Sequence, residues 1–384
     1  MKIVVAPDKY KGSMTALQVA QALETGLLRV LPQAEITKVP MADGGEGTVQ
    51  SLVDATGGHI KEVEVTGPLG EKRRAHFGIL GDGRTAVIEM AAASGLALVP
   101  NAQRNPLITT TRGTGDLIRA ALDVGCRRLI IGIGGSATND GGAGMAQALG
   151  VSLLDRAGQE LRPGGEALLD LAAIDISGLD PRISETEIVV ACDVNNPLIG
   201  PNGAAAVYGL QKGATPEMVV RLDQALANFA QVVERDLGVA TQDLPGAGAA
   251  GGLGAGLVAF LGATLRPGVE IVLDVTDFRS QLEGADLVIT GEGAMDRQTA
   301  FGKTPAGVAR AAKEKGLPVI AVVGTIGSGI EAVYEVGIDA VFSIISGPMT
   351  LEQAIERGPE LVAATAENIA RLLVAGSAIG YLAK

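Results

Sequence analysis

The chain has no tryptophan, and aromatic residues make up only 3% of its 384 positions. A core built without large rings must rely on Val, Ile, Leu and Ala, and hydrophobic residues together reach 47%. Aliphatic strands of this kind suit a parallel sheet covered on both faces. Cysteine and histidine are as scarce: Cys126, Cys192, His59 and His76 are the full complement. That excludes a disulfide framework and a Cys/His metal cluster, and it fits a reducing cytosol. Cys192 reads as strand filler and both histidines as surface residues, so neither a Ser-His-Asp set nor a thiol–His pair is available. Positive charge is short too, with 31 Lys and Arg against 43 Asp and Glu, a net charge of −12. This balance argues against nucleic acid and anionic membranes as partners, because both are bound by basic surfaces. A long uncharged stretch, residues 244–265, is too rich in glycine to span a membrane and reads as a buried turn feeding a helix. The start, MKIVVAPDKY, turns polar too soon for a signal peptide. A cytoplasmic protein, monomeric or homodimeric, is expected.

What the chain has in excess is glycine: 54 residues, roughly twice average usage. The glycines fall between apolar runs, as tight βα turns do. The length makes two domains the default. Near the two ends, KIVVAP (2–7), AEITKVP (34–40), ADLVITG (285–291), PVIAVVG (318–324) and AVFSII (340–345) read as parallel strands alternating with helical patterns. They predict a flavodoxin-like, doubly wound α/β domain made from both chain ends, residues 1–62 plus 285–384. The middle, residues 63–284, opens on a pattern that alternates like an antiparallel hairpin and adds further strands. It predicts a second α/β domain inserted into the first, with the active site in the cleft between them.

The chemistry-bearing residues recur where apolar strands end, which is where open α/β sheets bind ligands. Asp8, Lys9 and Lys11 follow the first strand in VVAPDKYKGS, and Ser13 or Thr15 is placed to cap the next helix. Asp43 and Glu46 follow the second in MADGGEGT, a pair suited to Mg²⁺ or to a helix N-terminus. In GIGGSATNDGG the glycines Gly134 and Gly135, with Ser136 and Asn139, make a backbone-amide cradle for an anion. Asp193 ends the strand of IVVACDVNN, and Lys212 follows in a second glycine turn. The densest polar cluster is GEGAMDRQTAFGKTPAGVA, with Glu292, Asp296, Arg297, Lys303 and Thr304 ahead of a helix that Thr304 is placed to cap. Gly302-Lys303-Thr304 spells the end of a P-loop, but Arg297 stands where that loop requires glycine. Carboxylates, a few lysines and amide cradles suit phosphoryl transfer between small anions with Mg²⁺. They also suit an NAD(P)-dependent oxidoreductase or a nucleotide-binding module without turnover.

Taken in register, VVAPDKYKGS, MADGGEGT, GIGGSATNDGG, ACDVNNPLIGPNGAA, PGAGAAGGLG and GEGAMDRQT-x-x-GKTPAGVA resemble the bacterial type 1 glycerate kinase family over nearly the whole chain. The resemblance implies a two-domain α/β kinase that uses ATP and Mg²⁺ to phosphorylate D-glycerate, in bacteria usually to 2-phosphoglycerate. A kinase for another small hydroxy or sugar acid is the alternative. On the physical reading, Asp193 and then Asp296 are the candidate bases, and Asp43, Glu46 and Glu292 the Mg²⁺ ligands. Asp8, Lys11, Ser136, Asn139, Arg297 and Lys303 are expected to hold substrate, and Gly134, Gly135 and Lys212 the nucleotide.

Overall fold

The computed structural model describes residues 1–379, which fall into two compact units. The first comprises Met1–Asp43, Gln50–Thr56 and the chain from Val269 onward; the second comprises Gly44–Val49 and Gly57–Gly268. In chain order the strands are β1 (Lys2–Pro7), β2 (Glu35–Lys38), β3 (His59–Thr66), β4 (Lys72–Ile79) and β5 (Thr85–Glu89). Then come β6 (Arg128–Gly132), β7 (Ser152–Leu154), β8 (Ala173–Asp175), β9 (Glu187–Ala191) and β10 (Thr264–Arg266). The last three are β11 (Leu287–Met295), β12 (Val319–Ile326) and β13 (Ala340–Ser343).

In the first unit the sheet order is β13-β12-β11-β1-β2, with every neighbouring pair parallel. Counted within this unit, that is the 2-1-3-4-5 order of flavodoxin-like folds, and the order reverses between β1 and β11. Ile3, Val4, Val5 and Ala6 are all fully buried, so both faces of β1 are covered and its sequence is a continuous apolar run. The helix Ala16–Leu28 starts at Thr15, whose hydroxyl accepts from Gln18 N at 3.2 Å while Thr15 N donates to Gln18 Oε1 at 2.9 Å. This reciprocal cap satisfies two otherwise orphaned donors. The helix packs against the helix Gly358–Ile379. At Gly26 the approach is so close that a Cβ would stand 2.0 Å from the Ala363 carbonyl oxygen.

The apolar run that marks the third strand of this sheet stops at Gly291, but β11 continues to Met295. Its pairing with β1 ends at Pro7↔Gly291, whereas its ladder with β12 runs on through Met295↔Ile326. Main-chain hydrogen bonds to one neighbour suffice to keep a strand going, whatever the side chains. Glu292 is therefore a strand residue on an overhang, not a loop residue after the strand.

In the second unit β10, β9, β6 and β5 pair in parallel, and the β3–β4 hairpin extends the sheet antiparallel at one edge. The hairpin turns through Gly67–Gly70, with Gly70 N donating to Gly67 O at 3.0 Å. β7 and β8 form a separate ribbon. Residues 244–265 do form a buried turn and a helix, Ala249–Leu261, with Ala250, Gly251 and Gly252 at φ of 54°, 71° and 89° inside it. A Cβ on Gly251 would lie 2.0 Å from the Thr138 carbonyl oxygen, so only glycine lets this kink back the polar turn that follows β6. Among the described residues no helix is long and apolar enough to cross a membrane.

The Gly26 contact yields a stability test. Gly26→Ala should destabilise the protein by roughly 1–3 kcal/mol through overpacking, seen as a lower urea midpoint. A midpoint at or above wild type would show that the two helices separate without cost.

Candidate active site

The first unit gathers acids at the carboxyl ends of β1 and β11, where the strand order reverses. Asp8 follows β1 directly and is 8% exposed. Its Oδ1 accepts from Lys9 N at 2.6 Å and its Oδ2 from the Thr304 hydroxyl at 2.7 Å. Burial, reinforced by the Asp43 charge, raises its carboxyl to about 6 against the pull of Lys9 and Thr304. Glu292, on the β11 overhang, accepts from the Thr299 hydroxyl at 2.5 Å and lies 3.7 Å from Lys303 Nζ. Burial raises it to about 7; Thr299 and Lys303 oppose the rise, while Asp8 and Asp296 add to it. Tyr10, buried beside them, donates its hydroxyl to Val322 O at 2.7 Å, and burial with the Glu292 charge pushes its phenol far up.

One sequence expectation changes here, and a second residue gains a structural role. Thr304 does not cap the helix Thr304–Glu314; Lys303 occupies the cap position, and the buried Thr304 hydroxyl serves Asp8. Asp296, expected as a base, caps the short 3-10 helix Arg297–Phe301, accepting from Gln298 N at 2.8 Å in a reciprocal arrangement with Thr299. A carboxylate engaged by backbone donors is a structural acceptor first, and Asp296 sets the position of Thr299 and so of Glu292. Asp43 is half-buried, and Lys11 and Arg297 are exposed. Ser13 is not the helix cap either: its hydroxyl donates to Ile355 O at 3.0 Å.

The second unit holds the glycine cradle. Gly134 and Gly135 are exposed after β6, with Gly135 at φ 75°, and the chain then goes inside. Ser136 is 7% exposed, while Thr138, Asn139 and Asp140 are at 0%. Asp140 accepts from Thr111 N and Oγ1 at 2.8 and 2.9 Å and from Gly142 N and Gly144 N at 3.3 Å each. Burial raises its carboxyl in spite of these donors. Lys212, expected to meet the nucleotide, is 1% exposed and donates its ammonium to Thr138 O at 2.7 Å. Burial lowers it to about 7, partly countered by Asp140. Its reach is spent inside the fold, on the turn that carries Asn139. Both polar atoms of the Asn139 amide and the Thr138 hydroxyl lack hydrogen-bond partners. Asn139 is thus enclosed, and the surface of the cradle is Gly134 and Gly135.

Asp193 is exposed at the end of β9 and accepts from Gly268 N at 2.8 Å. Glu46 is exposed, and the segment bearing it lies against β6, where a Cβ on Gly132 would meet Gly44 O at 2.3 Å. Asp43 and Glu46, read together from one turn, are assigned to different units. Glu89, which ends β5 and accepts from Val49 N at 2.9 Å, was not singled out although it follows an apolar strand as the other acids do. Thr299, Thr304 and Thr111 were also missed as partners, because a threonine's role as donor to a distant carboxylate leaves no local pattern. Cys126 and Cys192 are free thiols, and both histidines are exposed.

Acids gathered at the switch point of a parallel α/β sheet stand where enzymes of open α/β fold bind their ligands. The chain matches the model of the glycerate kinase family over residues 3–374, and it belongs to that family. It is 60% identical to the glycerate kinase of Bacillus subtilis (strain 168) over 370 residues, covering 96% of this chain and 97% of that protein. It is 52% identical to the glycerate 2-kinase of Escherichia coli (strain K12) over 376 residues, covering 98% and 99%. The crystal structure of a Salmonella typhimurium LT2 protein assigned as glycerate kinase 2 superposes with a TM-score of 0.92 at 56% identity, covering 98% and 99% of the two chains.

The raised Glu292 carboxyl gives a pH test of the site. A carboxyl whose folded pKa lies above its unfolded value contributes stability that is present below about 4.5 and lost as pH rises through about 7. Glu292→Gln escapes that loss. In metal-free buffer its unfolding free energy, from urea denaturation, should gain on wild type between pH 5 and 8 by on the order of 2–3 kcal/mol. A difference that stays constant across this range would show that Glu292 is not strained by burial.

Proposed function

We propose that the protein transfers the γ-phosphoryl group of ATP to the 2-hydroxyl of D-glycerate, giving 2-phosphoglycerate and ADP, in the cytoplasm. Membership of the glycerate kinase family supports the acceptor, and the name of the Escherichia coli relative supports the 2-position. The observation that carries the mechanism is the Glu292 carboxyl, raised to about 7 on its strand overhang. A general base works best when its pKa lies near the operating pH, and Glu292 meets that condition. Glu292 accepts the proton of the attacking hydroxyl, while the Thr299 hydroxyl holds one of its oxygens and Lys303 stands by the other. Asp296 positions this group through its cap of the Thr299 turn, and Asp193 is the second candidate to orient the acceptor hydroxyl.

The donor set fits Mg²⁺. Asp8 and Asp43 are hard oxygen donors, and burial with the Asp43 charge raises the Asp8 carboxyl to about 6, so the pair is short of positive charge. Among the described residues no three acidic, imidazole or thiol groups form a ready cation site, which suits an ion that prefers one or two carboxylates plus phosphate oxygens. Asp8 and Asp43 of the first unit would hold it, and it would supply charge neutralisation for the transferring group. Lys11 and Arg297 offset phosphate charge, while Lys303 stays with Glu292. In the second unit the exposed turn of Gly134 and Gly135, with Ser136, is a candidate to receive an anionic group, and Lys212 and Asn139 shape that turn from inside. Phosphoryl transfer needs little more than such positioning and charge compensation.

Phosphorus NMR of the product decides the position: a single 2-phosphoglycerate resonance is expected, and 3-phosphoglycerate would overturn that part of the reading. Glu292→Gln should lower kcat by roughly a hundredfold or more and remove the rise of kcat with pH through about 7. A Glu292→Gln enzyme with near wild-type kcat and an unchanged pH profile would transfer the role of base to Asp193.

A further inference from the structure

We infer that Phe301, together with Arg297, forms the nucleotide's docking surface on the first unit, the phenyl ring taking the base and the guanidinium the polyphosphate. The inference deepens the kinase reading and rests on it for the nature of the ligand.

Phe301 is 72% exposed in a chain that has only six phenylalanines. Phe77, Phe229, Phe260 and Phe278 are all buried. The exposed ring does not belong to a loose loop. It ends the 3-10 helix Arg297–Phe301, which Asp296 caps at one end and Arg310 grips at the other, donating to Ala300 O at 3.0 Å. Thr299 in the middle of that helix is buried with its hydroxyl on Glu292. The backbone therefore fixes a bare aromatic side chain two residues from the donor that holds the proposed base.

Arg297 begins the same short helix. Its stem is seated against Gly329, where a Cβ would come within 2.9 Å of Arg297 Cβ, and its main chain donates to Ser328 O at 3.1 Å. Its guanidinium is exposed and makes no ion pair or hydrogen bond with the described residues. Lys303 follows Phe301 by two residues and is already turned towards Glu292.

A flat apolar ring and an unpaired planar cation carried at the two ends of one five-residue helix complement a ligand with one flat apolar part and one multiply anionic part. Glycerate, three carbons each bearing oxygen, has no face to offer a phenyl ring. The phosphoryl donor has both parts, because bases stack on aromatic side chains and guanidinium groups match phosphate geometry. Lys212 of the second unit, with its ammonium bonded to Thr138 O, leaves that role open.

The test uses the full chain and calorimetric titration with the non-hydrolysable β,γ-imido analogue of ATP, alongside inorganic tripolyphosphate. Phe301→Ala should weaken the ATP analogue on the order of tenfold and leave tripolyphosphate affinity unchanged, while Phe301→Tyr restores the analogue. Arg297→Gln should weaken both ligands. In steady state, Phe301→Ala should raise KM for ATP with kcat and KM for glycerate held within about twofold, as loss of a base-stacking contact requires. Unchanged analogue affinity in Phe301→Ala, or equal loss of tripolyphosphate, overturns the inference, as does a fall in kcat alone, which would mark Phe301 as a packing contact formed during turnover. If wild type releases no ADP with glycerate, the kinase reading fails, and the titrations still decide the role of Phe301 independently.

Discussion

The parallel pairing of β1 with β11 is the constraint on which the site depends. It joins residues from opposite ends of the chain: the Thr290 hydroxyl donates to Ala6 O at 2.8 Å across 284 positions. Closing so long a loop is less costly than it looks, because the entropy grows only with the logarithm of length, about 0.6 kcal/mol per doubling. The intervening chain also forms a compact unit of its own. Once β1 and β11 are neighbours, the strand order reverses there, and Asp8 and Glu292 are delivered to the same edge of the sheet. Their proximity is a consequence of topology rather than of any attraction between them.

Indeed the two acids repel. Each is raised first by burial and then by neighbouring carboxylates, and the cations at hand only partly offset the rise. A fold selected for stability alone would have paired these groups or made them apolar. Instead the surrounding hydroxyls, Thr304 on Asp8 and Thr299 on Glu292, hold the carboxyls in place without neutralising them. Neutral donors fix geometry and leave the charge unmet, which is what a site awaiting a cationic or proton-bearing partner requires. Asp140 shows the contrast in the second unit. It is buried still more completely, yet it accepts from Thr111 and two glycine amides and has the buried Lys212 ammonium nearby. Its acid is consumed in holding a turn.

The fold was largely legible because strands buried on both faces advertise themselves as apolar runs. β1 and the buried part of β12 lie where such runs stand, the less buried β2 and β13 lie in the two other apolar stretches, and the sheet order is the one that βα alternation implies. The β11 overhang escaped that criterion: past Thr290 its residues are Gly291, Glu292, Gly293 and Ala294, and the strand persists through its ladder with β12. At the site, the acids were legible as types at strand ends, but their roles were not. Asp296 and Glu292 stand four positions apart in one motif, and only the hydrogen bonds separate a cap from a strained carboxyl. Lys212 looked available because its glycine turn resembles an anion loop, whereas burial depends on contacts with residues 138–140 that no local spelling records.

The triplet Gly302-Lys303-Thr304 shows how motif and mechanism come apart. In a P-loop the lysine and the hydroxyl serve phosphate and metal because the preceding glycines wrap the backbone around the ligand. Here the preceding residues are a capped 3-10 helix that sends Thr299 to Glu292, and Gly302, at φ 105°, reverses the chain after it. Lys303 then faces Glu292 and Thr304 faces Asp8. The same two side chains that would grip a phosphate in one backbone context instead support the two carboxyls in this one. What they share with a P-loop is the location at a strand's carboxyl end, and that location, set by the β1–β11 switch, determines which residues can take part in chemistry.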